Sequence, residues 1–535
     1  MKHLRLWVLS VIVAFAFFVR VFNVTAVPPS LSWDEVSIGY NAYSILKTGR
    51  DEHGRFLPMD AFVAYGDYKP PFAIYLTVPF VAVFGLTELA VRLPSVIAGT
   101  VAVLLTYLVA SQLLAFHLPR RQAGFSLFTS FLLAISPWHI QLSRAGWEAN
   151  IALTLLLSGI WLVLGARKRP PLLIICWLPF VLAMYTFNSA RYVAQFFALL
   201  FFFWIWKLMV ANKRYAVTGI LLGIISLAPL APHLISPEAR LRFAEVNIFS
   251  DLSIIKRSNE RIAVDGGGIW ANIVHNRRVG FAIEYLKHFF DHFQPWFLFI
   301  RGDGNPKFSI QDTGQLYLIE APIFVYGFYR LFADNPKLAW TFVLWIVFAL
   351  LPAGVARETP HALRIANSLP VWQIFIAYGA VSFLKKRTLH IAYCLFLIVS
   401  FSYFWHNYFN HYAKEYSTEW QYGYKEAIAK VKQLEGDYNR IVITEGYGRS
   451  YMYTLFFTQT DPETYVADKR STFDAAGFYH VFGFGKYEFR ENGTGSIERG
   501  TLYMATPKET PEQIRVFEII KRPNGEPAFI VFDRP

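Results

Sequence analysis

With 535 residues, of which 54% are hydrophobic, 18% aromatic and only 17% charged, the chain departs from soluble globular composition, where charged side chains make up about 25%. Its apolar residues gather in repeated runs of about 16–25, the length that crosses a hydrocarbon core of ~30 Å, so the fold class is a polytopic α-helical membrane protein. The net charge of +13 comes mostly from short basic clusters between those runs, as positive-inside topology requires, which argues against a nucleic-acid partner. Cys176 and Cys394 sit inside apolar runs and imply neither a disulfide nor a thiolate metal site.

The first run, LWVLSVIVAFAFFVRVF, lacks a small-x-small cleavage site and leads straight into SLSWDEVSIGY, so it reads as an uncleaved span. Ser32 is placed to cap a helix whose first turn holds Asp34 and Glu35. Two adjacent carboxylates beside a membrane either form a solvated helix N-terminal pair or supply a general base toward a hydroxyl or amine.

Topology decides which side they face. Basic clusters occur at Lys2/Arg5, Arg120/Arg121, Arg167/Lys168/Arg169, Lys213/Arg214, Arg330/Lys337 and Lys385/Lys386/Arg387. Placing all six in the cytoplasm predicts about eleven spans. These lie near 6–22, 88–115, 124–141, 149–165, 171–187, 192–210, 215–234, 316–331, 337–354, 366–384 and 389–405. Segment 71–86, short and carrying Pro79 behind Pro70 and Pro71, spoils the parity as a full crossing and is expected to be re-entrant or interfacial. The N-terminus is then cytoplasmic. Loops 23–87 and 235–315, the turns SRAGWEAN and FNSAR, the loop RETPHALR and the C-terminal region face outward.

Those outward segments carry the unusual polar residues. GDYKPP sets Lys69 at the interface, where it either meets a lipid phosphate or snorkels. SRAGWEAN offers Arg144 and Glu148 at span ends, for a site or for simple helix-end electrostatics. TPHALRIANSLP carries His361 and Arg364, whose planar fork suits phosphate oxygens and equally an interfacial anchor; Arg191 in FNSAR is a weaker case of the same kind. In RGDGNPKFS, a turn by composition, Asp303 and Asn305 are candidates to contact a sugar. KHFFDHF spaces His288 and His292 four apart; a divalent metal is one reading, an amphipathic interfacial helix the one favoured by the interleaved phenylalanines. DGGG at 265–268 lacks a Walker lysine and reads as a flexible turn, and NGT at Asn492 fits a glycosylation sequon.

Residues 406–535 change character. EWQYGYKEAIAKVKQLEG has helical apolar spacing and stops at Gly436, whereas NRIVITE, RVFEII and the end of RPNGEPAFIVF read as strands. The expected organisation is a transmembrane domain over 1–405 and a small extracytoplasmic α/β domain over 406–535.

In order along the chain, the Asp34–Glu35 pair, YKPPFAIYLTVPFVAVFGLTELAVRLPSVIAGT, SPWHIQLSRAGWEAN and PHALR resemble blocks of the GT-C superfamily, in its bacterial protein O-mannosyltransferase-like and aminoarabinose-transferase-like branch. The resemblance covers approximately residues 1–400 and is most specific over 30–100. It implies a cytoplasmic-membrane glycosyltransferase using a polyprenyl-phosphate sugar donor, with a glycan, lipid or protein acceptor on the extracytoplasmic side. Carried over by position, Asp34 becomes the acceptor-activating base and Glu35 its neighbour in the catalytic pocket, while Lys69 and Arg364 hold the donor phosphate. Glu148, Arg144, Arg191, His361 and Asp303 become substrate-binding candidates. No cofactor is assigned, and a divalent metal stays open. The alternative function is a transporter or flippase of lipid-linked sugar, which is expected to place ionisable groups mid-membrane; here the acids cluster at one interface.

Overall fold

The computed structural model describes residues 2–115, 122–236, 247–383, 387–474, 478–490 and 497–535. Arg120/Arg121, Lys385/Lys386 and the Asn492 sequon lie outside the described residues.

Among the described residues, seven helices are long and apolar enough to cross a membrane, or eight if one bent pair counts as a single span. They include α1 (Lys2–Val21), α4 (Glu88–Ala115), α7 (Glu148–Gly165), α9 (Ala190–Ala211) and α10 (Lys213–Leu227), with Pro336–Gly354 and Arg387–Asn407 further on. Four of the eleven expected spans fall short of a straight crossing. The span near 124–141 is the bent pair α5 (Gln122–Ile135) and α6 (Pro137–Arg144), which meet at 57°; Pro137 opens the second helix, as its missing N–H favours. Near 171–187 the chain is a 3₁₀ turn from Pro170 followed by the seven-residue α8 (Leu178–Met184). Helices Glu320–Asp334 and Val371–Phe383 have 15 and 13 residues. The segment expected to be re-entrant is the 13-residue α3 (Phe72–Phe84), with Pro79 inside it.

The chain divides into two compact units. One comprises residues 1–19, 98–142 and 148–404; the other joins 20–97, 143–147 and 405–535. The second unit thus takes in the region after residue 405 together with the segment between the first two expected spans.

The reason is a shared hydrophobic core. In the second unit a seven-stranded sheet runs in the order β4 (Arg470–Phe473), β5 (Tyr479–Phe484), β6 (Tyr487–Arg490), β3 (Arg440–Thr444), β7 (Thr501–Ala505), β9 (Pro527–Asp533), β8 (Arg515–Lys521). β3 is parallel to both neighbours and the remaining pairs are antiparallel. A parallel central strand is covered on both faces, hence the run Ile441–Val442–Ile443, all buried. On one face lie Tyr424, Ala427, Ile428 and Val431, the helical spacing read from the sequence, on the helix Tyr424–Leu434. The same core continues into Leu31, Val36, Tyr40, Tyr65 and Val91. There α2 (Trp33–Thr48) packs so tightly on helix Ser450–Thr458 that a Cβ at Gly39 would stand 2.5 Å from the Phe456 ring.

In the first unit, the amphipathic helix Arg277–Asp291 packs on the end of Pro336–Gly354. The Tyr285 hydroxyl donates to the Leu351 carbonyl at 3.2 Å, and His288 Nδ1 lies 2.7 Å from the Ala356 carbonyl. His292 Nδ1 lies 2.9 Å from the His288 carbonyl. The imidazoles are thus used on backbone, and among the described residues no group of three His, Cys, Asp or Glu side chains is placed to hold a metal ion. Cys176 and Cys394 are free thiols.

Candidate functional site

The first turn of α2 builds the centre of the site in the second unit. Ser32 forms the reciprocal capping box its spacing to Glu35 suggests: the Glu35 N–H donates to Ser32 Oγ at 3.4 Å, and the Ser32 N–H to Glu35 Oε2 at 2.9 Å. Glu35 is fully buried and receives more. Arg92 Nε donates to its Oε1 at 2.8 Å and the Gly146 N–H to the same oxygen at 3.0 Å. Arg92, also fully buried, donates as well to the carbonyls of Val24, Pro28 and Ser30 at 2.6, 2.9 and 2.5 Å. Its guanidinium lies 5.9 Å over the Trp420 ring. Glu35 is therefore the centre of a clamp that fastens loop 24–30, the start of α4 and the turn 143–147 to α2. Expected as the neighbour of Asp34 in the catalytic pocket, Glu35 has both oxygens filled by donors of the protein.

Asp34 differs from its neighbour. Its side chain is 28% exposed, and Lys69 Nζ lies 2.7 Å from Oδ1 while being only 8% exposed itself. Lys69 ends the hairpin β1 (Phe62–Ala64) and β2 (Asp67–Lys69), paired Phe62 with Lys69, just before the prolines that open α3. Tyr65 at the hairpin tip donates its hydroxyl to the Trp33 carbonyl at 2.8 Å, fixing the tip to the same helical turn. Asp34 and Lys69, singled out separately in the sequence, are one ion pair.

Arg144 is placed differently from its expected role. It is fully buried, donating from Nη1 to the Arg20 carbonyl at 3.2 Å and from Nη2 to the Val27 carbonyl at 2.7 Å. Its guanidinium stands over the rings of Tyr408 and Phe409 at 5.2 and 4.9 Å. Expected to contact substrate, Arg144 spends these donors on the carbonyls of Arg20, in the last turn of α1, and of Val27 in the loop that follows.

A second cluster lies in the first unit, where the loops 301–311 and 359–364 meet. Asp303 Oδ1 accepts from the Asn305 N–H at 2.8 Å and Oδ2 from the Ala362 N–H at 2.6 Å. Burial pushes the Asp303 carboxyl up to about 6, against the pull of those N–H groups and of Arg364. The His361 ring packs 4.8 Å from Phe308, its Nδ1 3.8 Å from Asp303 Oδ2. Burial and the nearby Arg364 hold that imidazole well below the usual histidine range, so it is neutral. Arg364, partly exposed, donates to the Glu358 carbonyl at 3.2 Å, and Ser189 donates its hydroxyl to the Arg364 carbonyl at 3.3 Å. Trp138 Nε1 donates to the Ala362 carbonyl at 3.1 Å and Gln141 Nε2 to the Lys307 carbonyl at 2.9 Å. The structure thus joins Asp303, His361 and Arg364, and adds Lys307, buried in the same loop. Arg191 is buried in the first turn of α9, with Nε 3.4 Å from the Met184 carbonyl, and Glu148 is buried at the start of α7.

Arg92 and Lys307 were missed in the sequence. Arg92 sits within an apolar run in VRLPS, where an ionisable residue is itself a signal; Lys307 lies inside a stretch whose composition reads as a turn.

No family model and no curated protein sequence matches the chain. Among solved structures, it is similar to the archaeal oligosaccharyltransferase AglB from Archaeoglobus fulgidus in complex with an inhibitory peptide and a dolichol-phosphate, at 12% identity and a TM-score of 0.49. That match covers 85% of this chain and 64% of the other, so the chain spans less than two thirds of the archaeal protein's length. It is also similar to ArnT from Cupriavidus metallidurans bound to undecaprenyl phosphate, at 12% identity and a TM-score of 0.49, covering 98% of this chain and 97% of the other.

Proposed function

We propose that the chain is a multi-pass membrane glycosyltransferase that moves a sugar from a polyprenyl-phosphate carrier to a glycan, lipid or protein acceptor on the extracytoplasmic side, where the C-terminal sheet domain also lies. The observation that carries this reading is the Asp34–Lys69 pair, a partly open carboxylate 2.7 Å from a buried ammonium on a helical turn held by its own clamp. Asp34 takes the proton of the acceptor hydroxyl or amine as that group attacks the anomeric carbon. The bond from that carbon to the phosphate oxygen breaks, and polyprenyl phosphate leaves with the electron pair. Lys69 turns toward the phosphate as its charge develops, which releases Asp34 for the proton. Glu35 and Arg92 are positioning residues for this turn. Within the first unit, Arg364, expected from the sequence to hold phosphate, and Lys307 of the same cluster are proposed to bind phosphate oxygens. Glu148, Arg191, His361 and Asp303 are assigned to substrate contact or to its support.

The test is transfer or slow hydrolysis of radiolabelled polyprenyl-phosphate sugars by the purified protein. Asp34→Asn is expected to lose about 100-fold or more of the turnover, the scale of a positioned base, while still binding donor. Movement of a lipid-linked sugar between vesicle leaflets without turnover would give the function to a transporter.

A further inference from the structure

Tyr65 and Arg449 are non-glycine residues with left-handed backbone, at φ +61° and +62°. Such a conformation is strained in a residue with a Cβ, and it concentrates where function fixes the chain. Tyr65 and Gly66, at φ +61° and +91°, turn the β1–β2 hairpin. A two-residue turn with positive φ at both positions ordinarily takes Asn or Asp first, so a tyrosine there points to a use for its ring.

That ring carries Arg449. The guanidinium lies 4.6 Å over the Tyr65 centroid, while the Tyr65 hydroxyl holds the Trp33 carbonyl, one residue before Asp34. Arg449 sits in the loop after β3, the central parallel strand of the sheet, and ligands of open α/β sheets gather beyond the carboxyl ends of such strands. Partly exposed, its guanidinium stacks on that ring and pulls electrostatically on the buried Glu445 carboxyl of the same loop, and no described carboxylate lies within ion-pair distance of it. Other arginines of the unit are spent: Arg92 on Glu35 and three carbonyls, Arg440 on Glu488 and Glu498, Arg515 on Asp533. Stacking on a ring offsets part of a guanidinium's desolvation and leaves its N–H edge for an oxyanion.

We propose that Arg449 is a further substrate-binding residue, through which the C-terminal domain presents a guanidinium fork to a phosphate oxyanion beside the Asp34–Lys69 pair. The proposal rests on the glycosyltransferase reading. The phosphate belongs either to the lipid-linked donor or to a phosphorylated acceptor, and the probes separate the two.

The full-length protein in nanodiscs is titrated with a C55 polyprenyl phosphate and, separately, with glycerol phosphate, comparing wild type with Arg449→Ala, Arg449→Gln and Arg449→Lys. Thermal midpoints are measured on every variant. An oxyanion role weakens binding about 10-fold or more in Ala and Gln and partly in Lys, which keeps charge but loses the fork. Loss toward polyprenyl phosphate assigns the donor; loss toward glycerol phosphate alone assigns an acceptor. Unchanged affinity for both probes in the Gln variant, whatever happens to the midpoint, makes Arg449 a structural peg and overturns the proposal while leaving the glycosyltransferase reading intact. A wild type that binds neither probe and transfers no sugar overturns that reading, and the ligand assignment with it.

Discussion

The two ends of α2 carry buried glutamates in opposite circumstances. Glu35 opens the helix and Glu52 lies just past its end, and both are fully buried. Glu35 is met by Arg92, Ser32 and the Gly146 N–H. Glu52 Oε1 accepts from Asn41 Nδ2 at 3.4 Å with His53 Nε2 3.7 Å away, and its Oε2 has no hydrogen-bond partner among the described residues. Lys469 is close by but donates to the Glu52 carbonyl, at 3.0 Å, rather than to the carboxylate. Burial pushes the Glu52 carboxyl up to about 8, and burial with Lys469 nearby pushes His53 down to about 3. The difference teaches that equal burial has opposite consequences: at one end Arg92 and backbone donors fill the carboxylate's lone pairs, and at the other a carboxyl short of donors is pushed toward its neutral form by desolvation.

Breaking the Glu35 end should cost most. Arg92→Met leaves a buried carboxylate without its cation, a change worth about 3–5 kcal/mol, and is expected to lower the thermal midpoint steeply or prevent accumulation of folded protein. A variant that melts like wild type would show that the clamp does not hold the turn.

The Glu52 end should instead show in pH dependence. Folded Glu52 titrates near 8 and an unfolded glutamate near about 4.3. Between those values the folded state keeps a proton that the unfolded state has lost. The Glu52 contribution to stability therefore falls as pH rises through that window, by at most about 1.4 kcal/mol per unit, and levels off above about 8. The depressed His53 contributes a slope of opposite sign below about 6.5 that is common to variant and wild type. Glu52→Gln removes this contribution, so thermal midpoints of variant and wild type should agree near pH 4.5 and separate by pH 8, the variant melting higher. Parallel curves would mean that Glu52 is ionised and paired in solution.

The smallest effect is expected where an ion pair of the same unit is open to water. Lys425 Nζ lies 2.7 Å from Glu88 Oε1, but the lysine is 52% exposed. Lys425→Ala should change the melting free energy by about 1 kcal/mol or less, and less again in high salt. A larger loss in a salt titration of the melting curve would make this bridge more than a screened surface contact.

Some of this was legible because it is local. Hydropathy marks the long spans at α1, α4, α7, α9 and α10, and the Ser32–Glu35 spacing marks the helix start. The apolar positions 424, 427, 428 and 431 name the buried face of a helix before its partner is known. Strands β3, β8 and β9 follow from their β-branched and aromatic runs, whereas β4 was not expected, its four residues being exposed.

What the chain's pattern determined by itself is that it enters a membrane repeatedly, that its odd polar groups cluster between spans, and that a mixed α/β region ends it. Only the tertiary structure decided that Lys69 belongs to Asp34, that Glu35 and Arg144 are committed to the protein's own groups, and that the segment 20–97 shares a core with 405–535. The physical reason is range. Periodicity and capping are set within a few residues, whereas an ion pair between positions 34 and 69, or a ring and a guanidinium 384 residues apart, exists only once the core has brought distant segments together.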